Sequence, residues 1–199
     1  MNTEQRIEIP LSKSKIIMMF TGATAFVAIG LWFVIAPPEI KNSYWGNPAR
    51  LAIAGYASIV FFGLCAAFFL RKLPDTRPGL IIDNTGMIDN SGALSAGQIL
   101  WEDIVNISVL EMHKQKLLML EVKNPQDYIN RQNGLLKRKG MELNYKMYGT
   151  PLSITANGLK MPFQELYTLV SQKFQETRTN TEKRMDALQE NLSPPSPFH

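Results

Sequence analysis

Hydrophobic positions along the chain follow two regimes. Ile16–Ala36 and Leu51–Leu70 are apolar stretches without Asp, Glu, Lys or Arg, separated by Pro37–Arg50. At ~1.5 Å rise per residue, each is long enough to cross a hydrocarbon core as a helix. Ile16, Ile17, Phe20, Phe26, Val27, Ile29, Leu31, Phe33, Val34 and Ile35 supply the first stretch. At roughly −0.4 kcal/mol apiece they favour insertion by ~4 kcal/mol. The pattern predicts transmembrane helices over 16–36 and 51–70, with an N-terminal segment 1–15, an external loop 37–50 and a linker 71–78. Pro74 and Pro78 stiffen that linker, and its reach is at most about 27 Å.

From Gly79 the pattern shortens and alternates. Leu80–Asp83 and Met87–Asp89 flank the turn signal Asn84-Thr85-Gly86, and Ile99–Trp101 reads as a further strand. Val105, Ile107 and Val109 alternate with Asn106 and Ser108, and Lys114-Gln115-Lys116 turns the chain into Leu117–Val122. At Asn124 the period becomes helical. Asn124 suits an N-cap, Pro125 the first helical position and Asp127 the positive helix end. Tyr128, Ile129, Gln132, Leu135 and Leu136 continue at helical spacing, weakened at Asn133-Gly134. Leu152–Thr155 is one more strand. Phe163, Leu166, Tyr167, Val170 and Phe174 then form a single apolar stripe suited to closing off a β-structure. A domain over 79–175 results, and the polar composition of 176–199 predicts a disordered or loosely helical tail.

Composition refines this picture modestly. Net charge is +4, too mild for a nucleic-acid partner, which calls for a concentrated basic stripe. The one cysteine, Cys65, lies in the second apolar stretch, so there is no disulfide framework. The Ala36-Pro37-Pro38 context is a poor cleavage site, so the first stretch reads as a retained anchor. Arg6, Lys13 and Lys15 precede the spans and Arg71, Lys72 and Arg77 follow them, whereas the connecting loop carries only Lys41 and Arg50. The positive-inside rule then puts both termini in the cytoplasm. Trp32, Tyr44 and Trp45 mark the outer interface.

Several local sequences carry a resemblance: Gly79–Asp83 with Gly86-Met87-Ile88-Asp89, Ile99-Leu100-Trp101-Glu102-Asp103-Ile104, Asn124-Pro125-Gln126-Asp127-Tyr128-Ile129, and Tyr148-Gly149-Thr150-Pro151-Leu152-Ser153-Ile154. With the preceding hairpin, this order resembles the bacterial pleckstrin-homology-like (PH-like) membrane proteins, a family largely of unknown function. The resemblance covers roughly half the chain. It implies an α+β membrane protein of the inner (cytoplasmic) membrane, with a two-helix transmembrane hairpin and a curved antiparallel sheet or partial barrel capped by the helix from Pro162. It brings no catalytic residues. Phosphoinositide-binding pleckstrin-homology domains place Lys and Arg around the first hairpin turn, whereas here Asp83-Asn84-Thr85-Gly86 is acidic.

Little in the chain points to chemistry. The only histidines are His113 and His199, too few with one cysteine for a zinc cluster. His113 reads as a half-exposed turn residue without an orienting partner, and Glu102-Asp103 as a turn or a cap on Ile104. No phosphate loop, dinucleotide fingerprint or nucleophile elbow occurs. No catalytic, metal or cofactor site is therefore expected. The small residues Ala54–Ser58 and Gly63–Ala67 permit close helix packing, within the hairpin or between copies. The densest basic group is Arg131, Lys137, Arg138 and Lys139. It reads either as a solvated helix face or as a surface against anionic lipid, gaining roughly 1 kcal/mol per cation. The leading functional expectation is a membrane-tethered, non-catalytic module that binds a protein or peptide partner. Anionic-lipid recognition through 131–139 is the alternative, and an oligomeric transport component the third, disfavoured by spans without a charged path.

Overall fold

The computed structural model describes residues 6–39, 47–113 and 115–192, with side chains as far as Gln189. Expectations for Lys41, Tyr44, Trp45, Lys114, the tail prolines and His199 lie outside the described residues. Two compact units emerge: Leu11–Arg77 is one, and the described residues before and after it together form the other.

The Leu11–Arg77 unit is a helical hairpin of α1 (Lys13–Ile35) and α2 (Pro48–Lys72). At ~1.5 Å per residue, both are long and apolar enough to cross a bilayer. Polar caps set their starts beyond the apolar runs. Ser12 Oγ accepts from Lys15 N at 3.5 Å, and Asn47 Oδ1 accepts from Ala49 N at 2.9 Å. The helix α2 also runs on through Arg71 and Lys72, so the expected linker 71–78 begins two residues later. The helices pack antiparallel, Phe26 stacks on Phe62 at 4.3 Å, and Ser58 Oγ donates to Phe26 O at 3.0 Å. Their contact lies at Gly30 and Gly55. A β-carbon on Gly63, by contrast, would meet nothing within 4 Å. At the shared end of the hairpin, Lys13 Nζ donates to Leu73 O at 2.7 Å and to Asp75 O, placing a cation on carbonyls at the end of α2. Asp75 pairs with Lys72 at 3.1 Å and with Arg77 at 2.9 Å.

The other unit is built on two antiparallel sheets. The first has the order β1 (Ile7–Ile9), β2 (Leu80–Ile82), β3 (Gly86–Asp89), β4 (Gly97–Leu100). The second has the order β5 (Ile104–Met112), β6 (Gln115–Val122), β7 (Leu152–Thr155). A 3₁₀ turn at Trp101–Asp103 joins them. The expected N-terminal segment 1–15 is thus not a separate piece: Ile9 pairs with Leu80 and Ile7 with Ile82, across an intervening helical hairpin. Gly79 N donates to Ile9 O at 2.8 Å, which completes the junction. Alternation in Ile7-Glu8-Ile9 is the physical reason, with Ile9 buried in the core.

Helices fill in the rest. Where one helix is expected after Asn124, there are two, α3 (Pro125–Asn130) and α4 (Leu135–Tyr148). Gly134, at φ 125°, divides them in a conformation that favours glycine, and Asn124 occupies the cap position without a side-chain hydrogen bond. Of the two expected forms of the tail, helix α5 (Phe163–Leu192) shows the helical one: the chain stays helical beyond Glu176 for four more turns. The exposed pair Arg178–Glu182 at 3.7 Å supports that extension. One core unites these elements. Leu80, Ile82, Met87 and Ile99 of the first sheet meet Leu118, Leu120, Leu152 and Ile154 of the second, and Leu166, Val170 and Phe174 of α5 close it.

Candidate functional site

Strand β5 lies at an edge of its sheet, so among the described residues one side of its backbone has no partner strand. Its pairing with β6 shifts register between Ile104 and Asn106. Such a bulge adds a residue to one strand and re-aims its side chain. Ile104 is buried, and Val105 is left 52% exposed. The alternation expected over Val105–Val109 therefore does not yield a buried face. At the start of this strand lies a groove of about 360 Å³, with Trp101, Ile104, Val105 and Phe174 as apolar lining. Glu102 and Lys123 line it from the sheet side, and Thr177, Arg178, Thr181 and Glu182 form its wall on α5. The groove exists only because α5 outruns the core that its apolar stripe covers.

The floor is held rigidly. Trp101 Nε1 donates to Asp83 O at 2.8 Å and Trp101 N to Thr85 O at 3.1 Å, fastening the indole to the β2–β3 turn. In that turn Asp83 Oδ1 accepts from Thr85 N at 2.8 Å and Gly86 N at 3.0 Å. Burial alone would raise the Asp83 carboxyl, but these bonds, with the Thr85 hydroxyl, hold it below its ordinary value. Asp103, expected in a turn or cap, lies in the 3₁₀ turn and accepts from Tyr128 Oη at 2.7 Å. Burial foremost, then that carboxylate, pushes the Tyr128 hydroxyl up to about 12.

The four basic candidates fall on two elements. Arg131 follows α3 and lies over the Tyr128 ring at 3.9 Å. Its guanidinium donates to Gln98 O and, at 3.4 Å, to Ala96 O, so it bolts α3 to β4. The other three lie on α4. Lys137 faces the buried Asp89 electrostatically, Arg138 pairs with Glu142 at 3.4 Å, and Lys139 is exposed. Asp89 accepts from Ser91 N at 2.8 Å and Ser91 Oγ at 2.6 Å. Burial raises its carboxyl above the ordinary range despite those bonds. His113 sits exposed in the β5–β6 turn at φ 49°. Among the described residues, no three His, Cys, Asp or Glu side chains gather as metal ligands.

Sequence reasoning missed the groove, because its α5 wall lies in the polar segment beyond Glu176 and its Val105 depends on a bulge. No protein-family model, curated protein or solved structure matches this chain.

Proposed function

We propose that the chain is a two-span membrane protein whose strand-rich unit is a PH-like, non-catalytic binding module for an extended segment of a protein partner. The observation that carries this reading is the edge position of β5, whose first residues, Ile104 and Val105, line an apolar groove against α5. An edge strand supplies backbone donors and acceptors for an added strand, and flanking pockets take alternate side chains. Val105 and Phe174 offer the apolar contact, and Lys123, Arg178, Glu102 and Glu182 the polar rim.

Membrane anchoring rests on the two apolar helices. The β1–β2 pairing supports the hairpin form, since it joins the chain entering α1 to the chain leaving α2. Under this reading both ends of the hairpin lie on one side of the bilayer, and the basic flanks make that side cytoplasmic. The PH-like reading rests on the sheets of four and three antiparallel strands closed by a C-terminal helix. On that reading the helical hairpin occupies the β1–β2 connection. The acidic turn at Asp83–Gly86 then belongs to the second strand pair instead of the first.

A photocrosslinking amino acid at Val105 or at Thr181, in the full chain in its native membrane, tests the groove. Both positions should capture the same partner, Gln126 (exposed, on α3) should not, and Val105→Glu should abolish capture from Thr181. Capture from Thr181 that is indifferent to Val105→Glu would overturn the reading.

A further inference from the structure

The outer face of α4 carries an arrangement that the groove does not use. Successive helix residues are about 100° apart, so Leu135, Leu136, Lys139, Leu143, Lys146 and Met147 fall on about one third of the circumference. Met141, which is buried in the core, lies on the opposite side. The four apolar residues of that outer face are strongly exposed: Leu135 78%, Leu136 83%, Leu143 56% and Met147 57%. Lys139 and Lys146 are exposed among them. Glu142, the one acidic residue of the helix, is paired to Arg138. The helix is thus apolar and cationic on the side away from its own core.

We infer that this face of α4 docks onto an anionic bilayer surface, with Leu135, Leu136, Leu143 and Met147 entering the headgroup boundary and Lys139 and Lys146 meeting lipid phosphates. Two features favour lipid over a protein partner. Protein interfaces are depleted in Lys, whereas Leu side chains accompanied by Lys are the composition of a helix lying in the membrane interface. The second is local concentration, because the same chain carries both membrane-length helices and joins them to this unit at Pro10 and Pro78. The inference rests on the membrane reading and is independent of the groove. It also moves the lipid contact from the expected set: Arg131 and Lys137 are turned to other work, and the leucines become the anchors.

The full chain, with Cys65→Ser and a single spin label, is reconstituted in phosphatidylcholine bilayers with or without phosphatidylglycerol. Labels at Leu136→Cys and Leu143→Cys should shift from water to an oxygen-rich environment when phosphatidylglycerol is present. A label at Thr179→Cys on α5 should stay in water. Lys139→Glu with Lys146→Glu should return both α4 labels to the Thr179 value. Labels at 136 and 143 that remain as wet as Thr179 in anionic bilayers overturn the inference, as does shielding that requires added membrane proteins. A label at Val60→Cys separates docking of α4 from membrane insertion of α2. If it lies deep in the bilayer while the α4 labels stay wet, docking alone fails; if it too is wet, the membrane reading fails with it.

Discussion

Gly30 and Gly55 pack backbone against backbone at the crossing of α1 and α2. A β-carbon built on Gly55 would lie 2.8 Å from Gly30 O, and one on Gly30 would lie 2.9 Å from Gly55 O. Both distances are shorter than real side chains show, so any larger residue must push the helices apart. Gly55→Ala should cost about 1–3 kcal/mol of hairpin packing. In a Cys65→Ser chain, cysteines at Phe26 and Phe62, whose rings stack at 4.3 Å, report the approach of the helices. Crosslinking should fall with Gly55→Ala and persist with Gly63→Ala. Equal yields would show that the close approach does not hold the hairpin.

Gly86 has the tightest surroundings of any described glycine. Its β-carbon would sit 2.0 Å from Ile99 O, a backbone atom of the neighbouring strand. Relief requires β3 and β4 to separate beside Trp101, so Gly86→Ala should destabilise by about 3 kcal/mol or more. Gly92→Ala, with nothing within 4 Å, should stay within ~0.5 kcal/mol of the parent. Thermal unfolding of the full chain in detergent distinguishes them, and similar melting temperatures would refute the clash.

What was legible in the chain follows from what each element depends on. Hydropathy alone reveals α1 and α2, because their burial partner need not be another part of the protein. The stripe from Phe163 to Phe174 reveals the closing part of α5, whose Leu166 and Val170 are buried. Strand β1 is hidden because three residues give too short a pattern, and its partner lies beyond two helices. Helix α4 is hidden because its apolar residues lie on both sides, with Met141 inward and Leu136 and Leu143 outward, which erases the stripe. The α5 extension has no apolar period; helix-favouring Glu, Lys, Arg, Met, Ala and Leu over 182–188 were the available signal. Arg131 and Lys137–Lys139 look like one patch only because they are close in sequence. Gly134, at φ 125°, divides them between two elements.

Asp89 gives the fold a pH dependence of defined sign. Its buried carboxyl has a folded-state value raised above the ordinary 3.8, so the folded state holds the proton more tightly than the unfolded state. Stability should then fall as pH rises from about the unfolded value through the raised one, and level off above it. Asp89→Asn keeps an acceptor for Ser91 and should lose that slope, so the difference between the two chains grows across this window. Asp89→Ala leaves the Ser91 and Ala96 amides without their acceptor and should cost about 1–3 kcal/mol below that window and less above it, where the parent has itself lost stability. Denaturant titrations from acid to neutral pH provide the check; an identical slope in Asp89→Asn would assign the dependence to another group.

Arg131 should behave as a structural bolt. Arg131→Ala removes the stacking over Tyr128 and the bonds to Ala96 O and Gln98 O, for a loss of about 1–3 kcal/mol. Tyr128→Phe removes the bond to Asp103 and should cost about 0.5–1.5 kcal/mol. Neither change should alter the depth of a label at Leu136 in anionic bilayers. A shallower label in Arg131→Ala, with melting unchanged, would restore Arg131 to the lipid surface.

The length of α5 separates folding from binding. Its first half supplies the core residues Leu166, Val170 and Phe174, whereas Thr177, Arg178, Thr181 and Glu182 beyond it form only the groove wall. A chain ending at Glu176 keeps every buried apolar residue of the helix. It loses one side of the groove and the exposed Arg178–Glu182 pair, which at 61% and 68% side-chain exposure adds little to stability. Such a truncation should therefore fold and melt within a few degrees of the full chain. Capture of a partner by a photocrosslinker at Val105 should nevertheless disappear, because an added strand on β5 would have lost the helix that flanks it. If capture survives the truncation, the partner reads the sheet edge alone and the groove is incidental. If the truncated chain fails to fold, the α5 extension contributes to the core in a way its exposed side chains do not explain.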